Sequence, residues 1–116
     1  IAASSNVDID LAGSLANAIG GTSVFARVKG LYIKASAANT NNVVVGAAAA
    51  TQWLTLIGTA TGTIILRPGA VMLVAAGADD ATGYTVGAGA SDLLRISNSG
   101  AGTSVTYDIV IIGCSA

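Results

Sequence analysis

Clusters of turn-forming residues divide this chain into short segments, and their spacing constrains the fold more than any other feature. Groups of glycine, asparagine and serine recur at intervals of roughly 8 to 12 residues along a chain of 116 residues. The segments between them are rich in valine, isoleucine and threonine, which favour extended backbone. Alanine tracts also occur, but they lie among glycine and threonine and form no sustained helical stripe. The spacing therefore predicts an all-β domain of the sandwich or barrel type.

Nine segments have the length and composition of strands. In the first, Val7, Ile9 and Leu11 alternate with Asp8 and Asp10, so one face is apolar and the other charged. The predicted strands are 7–11, 24–35, 43–45, 53–57, 63–66, 71–75, 84–86, 93–97 and 105–112.

Three connections between these strands have recognisable turn chemistry. Segments 93–97 and 105–112 flank the turn residues 98–103 and are predicted to form a hairpin. Segments 53–57 and 63–66 are predicted to be joined by the glycine-containing stretch 58–62. The sequence Arg67-Pro68-Gly69-Ala70 predicts a type II turn, because proline presets the first central angle and glycine accepts a positive φ at the second.

One short helix is predicted near the N-terminus, over residues 14–20. Ser14 can cap its start, Leu15, Ala18 and Ile19 share a face, and Gly20 can end it. Together these features predict a single domain over 1–116, a jelly-roll-like β-sandwich of about eight strands with one short N-terminal helix. Residues 1–5 are expected to be an N-terminal arm, either flexible or bound to a partner.

The composition indicates that much of the outer surface is covered by other protein. Hydrophobic residues make up 53% of the chain and charged residues 9%, and the net charge is −1. A free domain needs surface charge to remain soluble, and a net charge near zero promotes association. A bilayer is the weaker explanation, because the longest apolar run, 70–78, is far shorter than the ~20 residues of a spanning helix. We therefore expect protein partners and no membrane.

Few residues offer chemistry. The chain has no histidine, which excludes Ser-His-Asp and Cys-His arrangements, and it has no second cysteine to pair with Cys114. Asp8 and Asp10 could act as a glycosidase carboxylate pair. Two structural interpretations explain them better: they lie on the solvent-exposed face of an edge strand, or they pair with Arg27 or Lys29 on a neighbouring strand. Arginine and lysine are too scattered to predict a nucleic-acid surface.

Other candidate sites also have simpler structural explanations. Asp79 and Asp80 could contribute to a calcium site, but calcium needs about six or more oxygen ligands and a solvated loop is the better interpretation. The glycines around 87–89 and 100–102 precede strands rather than helices, so they indicate turns and not phosphate loops. Trp53 and Tyr84 could stack on a carbohydrate, but a core or interface position fits Trp53 better. We predict a protein that is not an enzyme, with no catalytic residue, no cofactor and no metal ligand.

Four segments resemble small virion proteins of tailed bacteriophages. They are Phe25 to Ile33, Leu66 to Gly69, Asp92 to Ile96 with the Asn98 turn, and Tyr107 to Gly113. The most similar set is the capsid decoration, or cement, proteins with a jelly-roll fold. Asp10 and Leu11 followed by Leu15 and Gly20 fit the same pattern.

The resemblance implies a structural role on the capsid surface. Such proteins often form trimers over gaps between capsomers and strengthen the shell, so the implied partners are other copies of the chain and the major capsid protein. The implied location is the virion, with assembly in the host cytoplasm. A tail, fibre or spike component that binds a host receptor through loops 77–82 and 98–103 is the alternative, and a small hydrolase using Asp8 and Asp10 ranks last.

Overall fold

Strands dominate the structure. The computed structural model describes residues 1–13 and 15–116, and within them the chain forms ten strands and one helix of four residues. In chain order these are β1 (Asn6–Asp10), β2 (Leu15–Ala16), β3 (Thr22–Ser23), β4 (Arg27–Ala35), β5 (Val43–Gly46), α1 (Leu54–Ile57), β6 (Thr63–Leu66), β7 (Val71–Ala75), β8 (Tyr84–Thr85), β9 (Leu93–Asn98) and β10 (Tyr107–Cys114). The all-β class is confirmed for the residues described. None of them belongs to a helix long and apolar enough to cross a membrane.

Two antiparallel sheets bury the apolar residues between them. One sheet has the order β1-β9-β5-β6, and the other has three longer strands in the order β10-β4-β7 with the short β8 as its fourth member. By their longer strands we call them the four-stranded and the three-stranded sheet. The short strand β8 pairs with the N-terminal end of β4, and β2 pairs with β3 in a separate hairpin. Consecutive strands usually lie in different sheets, so the chain crosses repeatedly between the two layers.

One hydrophobic core lies between the sheets. Alternate residues of each strand point inward, as a two-layer β-structure requires. Trp53 is the largest side chain in the core, 1% exposed, and its indole N–H donates to the Thr85 carbonyl at 2.8 Å. The other fully enclosed residues come from both sheets and their connections: Leu11, Val28, Leu31, Ile33, Ala35, Val43, Val45, Leu66, Leu94, Ile96 and Val105.

A bulge in β4 changes which side chains face the core. In the pairing of β10 with β4, Ile112 lies opposite Gly30 while Gly113 lies opposite Val28, so Lys29 is the extra residue. Val28 faces the core, so strict alternation along β4 predicts that Leu31 points away from the core. The bulge shifts the phase, and Val28 and Leu31 are both buried.

The predicted helix at 14–20 is wrong for the residues described. Leu15 and Ala16 pair with Ser23 and Thr22 in the β2–β3 hairpin, and Ser14, the predicted cap, lies outside the described residues. The reason is local. The Asn17 side chain accepts the backbone N–H groups of Ile19 at 3.1 Å and Gly21 at 2.9 Å, which closes a turn.

The predicted hairpin of 93–97 with 105–112 is also wrong. β9 pairs with β1 and β5 in one sheet, whereas β10 pairs with β4 in the other. The connecting residues 99–106 therefore form an arch between the layers. The buried side chain of Asn98 holds this arch, because its amide donates to the Thr103 carbonyl at 2.8 Å and its oxygen accepts from Asn41 at 2.9 Å.

The predicted strand 53–57 is a buried tryptophan followed by the helical turn α1. Gly58 ends that turn in the left-handed conformation, with φ of 83° and its N–H donating to the Leu54 carbonyl. The partner of β6 is therefore β5. The type II turn at Arg67 to Ala70 is confirmed, since Gly69 has φ of 81° and Ala70 N–H donates to the Arg67 carbonyl at 2.8 Å.

Residues 1–5 lie against their own domain. The backbone nitrogen of Ile1 donates to the Val105 carbonyl at 2.7 Å, and the Val105 N–H donates to the Ile1 carbonyl at 2.9 Å. Ser4 donates to the Gly100 carbonyl and Asn98 donates to the Ser5 carbonyl, both at 2.9 Å. The segment expected to be an arm therefore runs alongside the arch.

Candidate docking surface

The outer face of the three-stranded sheet forms a regular grid of side chains. In one row Val110 of β10 lies beside Tyr32 of β4, which lies beside Leu73 of β7. The next row along one direction is Ile112, Gly30 and Ala75, and the next in the other direction is Asp108, Lys34 and Val71. Because β-strand side chains alternate, these nine residues share the face that points away from the core. We call this set the apolar face.

The apolar face is exposed. Leu73 keeps 70% of its surface accessible, Ile112 62%, Val110 52% and Val71 51%. Scattered apolar residues are ordinary on protein surfaces, but a contiguous patch marks an interaction site. Burying the remaining surface of such a side chain contributes about 1–2 kcal/mol, so four neighbours supply a substantial driving force for docking.

Gly30 gives the apolar face a hollow at its centre. The hollow has a volume of about 200 Å³ and is lined by Tyr32, Leu73, Ala75, Val110 and Ile112 around Gly30. A methyl group added to Gly30 would lie 3.7 Å from the Ile112 Cβ, which is ordinary van der Waals contact. The backbone therefore tolerates a side chain at this position, and its absence leaves a recess that a partner's side chain can fill.

The outer face of the four-stranded sheet is different in character. Asp8 on β1 and Arg95 on β9 are cross-strand neighbours, and they form a bidentate ion pair with N–O distances of 2.6 and 2.8 Å. The hydrogen bonds from Arg95 hold the pKa of Asp8 below its ordinary value, and the same bonds raise the pKa of Arg95. We call this surface the polar face. Its other residues are Asn6, Thr63 and Ser97 together with the apolar Val44, Ile65 and Leu93.

Asp8 and Asp10, which the sequence offered as a carboxylate pair, make separate contacts in the structure. Asp8 pairs with Arg95 instead of the expected Arg27 or Lys29. Asp10 uses its carboxylate to accept the backbone N–H of Ala12 at 3.1 Å, which closes the turn after β1. The two carboxylates are therefore held in separate structural contacts.

The loop at Asp79 and Asp80 is fastened to β4. Asp80 accepts the N–H groups of Thr82 and Gly83 at 3.0 Å each, and the bond from Gly83, followed by that from Thr82, lowers its pKa. Arg27 and Lys29 donate to the carbonyls of Ala81 and Asp80. No cluster of three or more potential metal-ligating side chains occurs among the residues described.

The remaining sequence candidates occupy structural positions. Trp53 is enclosed in the core, with the Tyr84 ring edge-on at a centroid distance of 6.4 Å, so the predicted core position is confirmed. Cys114 is a half-buried free thiol at the end of β10. Gly100 and Gly102 lie in the arch, where Gly102 has φ of 90°.

Two strands of the apolar face have a recognisable signal in the sequence. Segment 71–75 is continuously apolar, and the end of segment 105–112 is apolar on both sides of the strand. Such strands are buried on both faces in the assembled state. In this chain only the inner side is covered by the chain itself, and the register then places the uncovered sides next to one another.

In comparisons with known proteins, no family model, no curated protein and no solved structure matches this chain.

Proposed function

We propose that this chain is a structural virion protein that decorates a phage capsid by binding between major capsid subunits, where it stabilises the shell. The observation that carries the proposal is the apolar face, an uncovered sheet surface with a central hollow. A permanent interface is commonly more apolar than a transient one, and this surface has that character.

The contrast between the two outer faces supports an oriented attachment. The apolar face would lie on the shell, while the polar face, with its Asp8–Arg95 ion pair, would point to solvent. The roles proposed for both surfaces are non-enzymatic. They require only shape, apolar area and a rigid scaffold.

The resemblance found in the sequence supports the same proposal. Its segments correspond to β4, the Arg67 to Ala70 turn, β9 and β10, and two of these strands, β4 and β10, carry the apolar face. The repeated crossing of the chain between its two sheets is compatible with a jelly-roll-like sandwich.

The location in the particle is tested by imaging virions of the phage that encodes the chain. We expect regularly spaced density for the chain over the icosahedral shell, and a shell that breaks at lower temperature when the chain is missing. Absence of the chain from purified particles would sink the proposal. Density at the tail would replace it with the tail, fibre or spike alternative.

The attachment surface is tested with two matched substitutions. Leu73→Lys places a charge on the apolar face, and Ile65→Lys places the same charge on the polar face at a residue of similar exposure, 60% against 70%. We expect Leu73→Lys to leave shells undecorated and Ile65→Lys to decorate them normally. Equal decoration by both variants would show that the apolar face is not the attachment surface.

A further inference from the structure

The outer edge of β10 is the longest unpaired strand edge among the residues described. β10 has eight residues and pairs only with β4. The other edge strands are shorter, and β1 carries Asp8 and Asp10, which discourage pairing with another chain. β10 has one charged residue, Asp108, and no proline. It therefore lacks most of the features that protect sheet edges from association.

The backbone groups that face this edge can be identified from the register. Thr106 accepts a hydrogen bond from Ser36 N–H on the β4 side at 3.0 Å. Antiparallel pairing alternates, so Asp108, Val110 and Ile112 also bond to β4. The N–H and C=O groups of Tyr107, Ile109 and Ile111 then point outward and have no strand partner among the residues described.

The open stretch has defined ends. At one end Ile1 already pairs with Val105 through two hydrogen bonds, which closes the edge just before β10. At the other end the Cys114 carbonyl accepts a hydrogen bond from Ala26 N–H at 2.8 Å. Among the residues described, the free edge runs from Tyr107 to Gly113, and Val110 is its central residue.

An apolar groove follows the inner side of the same edge. It has a volume of about 430 Å³ and is lined by residues of β1, the β2–β3 hairpin, the link between β3 and β4, and β10, including Ile9, Leu15, Phe25, Ile109 and Ile111. Val110 also borders the groove, although its side chain lies on the apolar face, so the groove reaches the main chain of β10. A strand added there would place alternate side chains in an apolar environment.

We propose that this edge pairs with the same edge of a second copy, antiparallel and centred on Val110, so that two three-stranded sheets join into one. Because the edge is self-complementary, a two-fold axis satisfies the outward groups of both copies at once. Ile109 lies opposite Ile111 of the second copy, and these side chains face the grooves. The row Leu73-Tyr32-Val110 continues into the same row of the second copy, which doubles the length of the apolar face.

Electrostatic repulsion between the two Asp108 carboxylates disfavours two alternative registers. In a parallel pairing in register, the two Asp108 carboxylates would be adjacent, which is destabilising. An antiparallel pairing centred on Ile109 would leave them on a diagonal, about 7–8 Å apart. Centring on Val110 separates them by four residues along the strand, roughly 13 Å. Each Asp108 then keeps its own cross-strand neighbour Lys34 as the nearest opposite charge.

The pairing is tested by cross-linking the full chain with Cys114 replaced by serine. In the proposed dimer, Val110→Cys lies opposite the same cysteine of the second copy. The two residues form a non-hydrogen-bonded pair, whose Cα atoms lie about 4.5 Å apart, within the range of a disulfide. We expect mild oxidation to convert Val110→Cys into a covalent dimer. The control Leu73→Cys lies on the same face but two strands away and should remain uncross-linked. Equal cross-linking of both, or none at Val110→Cys, would overturn the proposal.

The mass of the isolated chain gives a second, independent readout. We expect twice the monomer mass by analytical ultracentrifugation, a monomer for Val110→Lys with an unchanged circular dichroism spectrum, and a dimer for Leu73→Lys. A wild-type monomer, or a trimer as the family resemblance implies, would overturn the two-fold pairing. Neither result bears on the proposed attachment to a shell, which is measured on virions.

Discussion

Gly113 shows at the scale of one residue how the bulge constrains the sequence. A Cβ at this position would overlap the Arg27 carbonyl oxygen and lie 2.7 Å from the Cδ1 atom of the Phe25 ring, so alanine would force the two strands apart. We expect Gly113→Ala to reduce the free energy of unfolding by about 1–3 kcal/mol, the usual cost of overpacking. Urea denaturation followed by tryptophan fluorescence measures it.

Gly30 is the matched control for that prediction. It lies in the same strand pairing, but a methyl group there meets no atom closer than 3.7 Å. Glycine in a strand is less favourable than alanine by roughly 0.5–1 kcal/mol, so Gly30→Ala should be as stable as the natural chain or more stable. If both substitutions destabilise equally, the bulge is not the cause.

The Asp8–Arg95 ion pair gives a pH dependence of defined sign. The pKa of Asp8 is lowered in the folded chain, so the unfolded chain binds its proton first as the pH falls. The pair therefore stabilises the fold above the ordinary Asp pKa of about 3.9, and that contribution disappears as the pH falls through the lower, folded-state value. We expect Asp8→Asn to be less stable than the natural chain at pH 7 and equally stable in strong acid. A difference that stays constant in urea denaturation across this range would contradict the assignment.

At the scale of elements, the arch between β9 and β10 depends on one buried side chain. Asn98 is 6% exposed, and its amide group donates to the carbonyls of Ala2 at 3.2 Å and Thr103 at 2.8 Å. We expect Asn98→Ala to cost about 1–3 kcal/mol of unfolding free energy, because buried polar groups lose their partners. Asn6→Ala, on the exposed face of β1, is the control. Equal unfolding midpoints in urea for the two variants would show that the arch does not depend on this network.

The positions of most strands could be predicted from the sequence, whereas their partners could not. The predicted segment 71–75 coincides with β7, and the predicted segment 105–112 overlaps β10 with a shift of two residues, because local composition determines extended backbone but not where a strand begins and ends. The choice between a hairpin and an arch at 98–103 depends on contacts with Asn41 and with residues 1–5, which are distant in sequence. At 14–20, the side chain of Asn17 favours a turn, and helical periodicity alone does not report that competition.

The bulge limited the prediction of the candidate surface in the same way. Every apolar residue of the apolar face lies in a predicted strand, but assigning sides along β4 by alternation fails at Lys29. Only the register shows that Val110, Tyr32 and Leu73 form one row. A contiguous patch is a property of three paired strands, so a single segment cannot reveal it.

At the scale of the whole molecule, the outer faces of the two sheets differ in polarity. A sandwich of this size has one core between its sheets, and four of the nine exposed large apolar residues among those described lie together on the outer face of the three-stranded sheet. The polar face carries the bidentate ion pair. The molecule therefore has one side suited to water and one side suited to contact with protein.

Association of the folded chain should make its thermal stability depend on concentration. Whatever binds only the native state raises the unfolding temperature by mass action, so pairing through β10 predicts a melting temperature that rises with protein concentration. We expect a rise for the natural chain and for Leu73→Lys across a roughly hundredfold range of concentration, measured by differential scanning fluorimetry. Val110→Lys should have the same melting temperature at every protein concentration, because the lysines of the two copies would lie opposite each other at the two-fold axis and prevent pairing. A natural chain whose melting temperature ignores concentration would show that the edge of β10 remains open in solution.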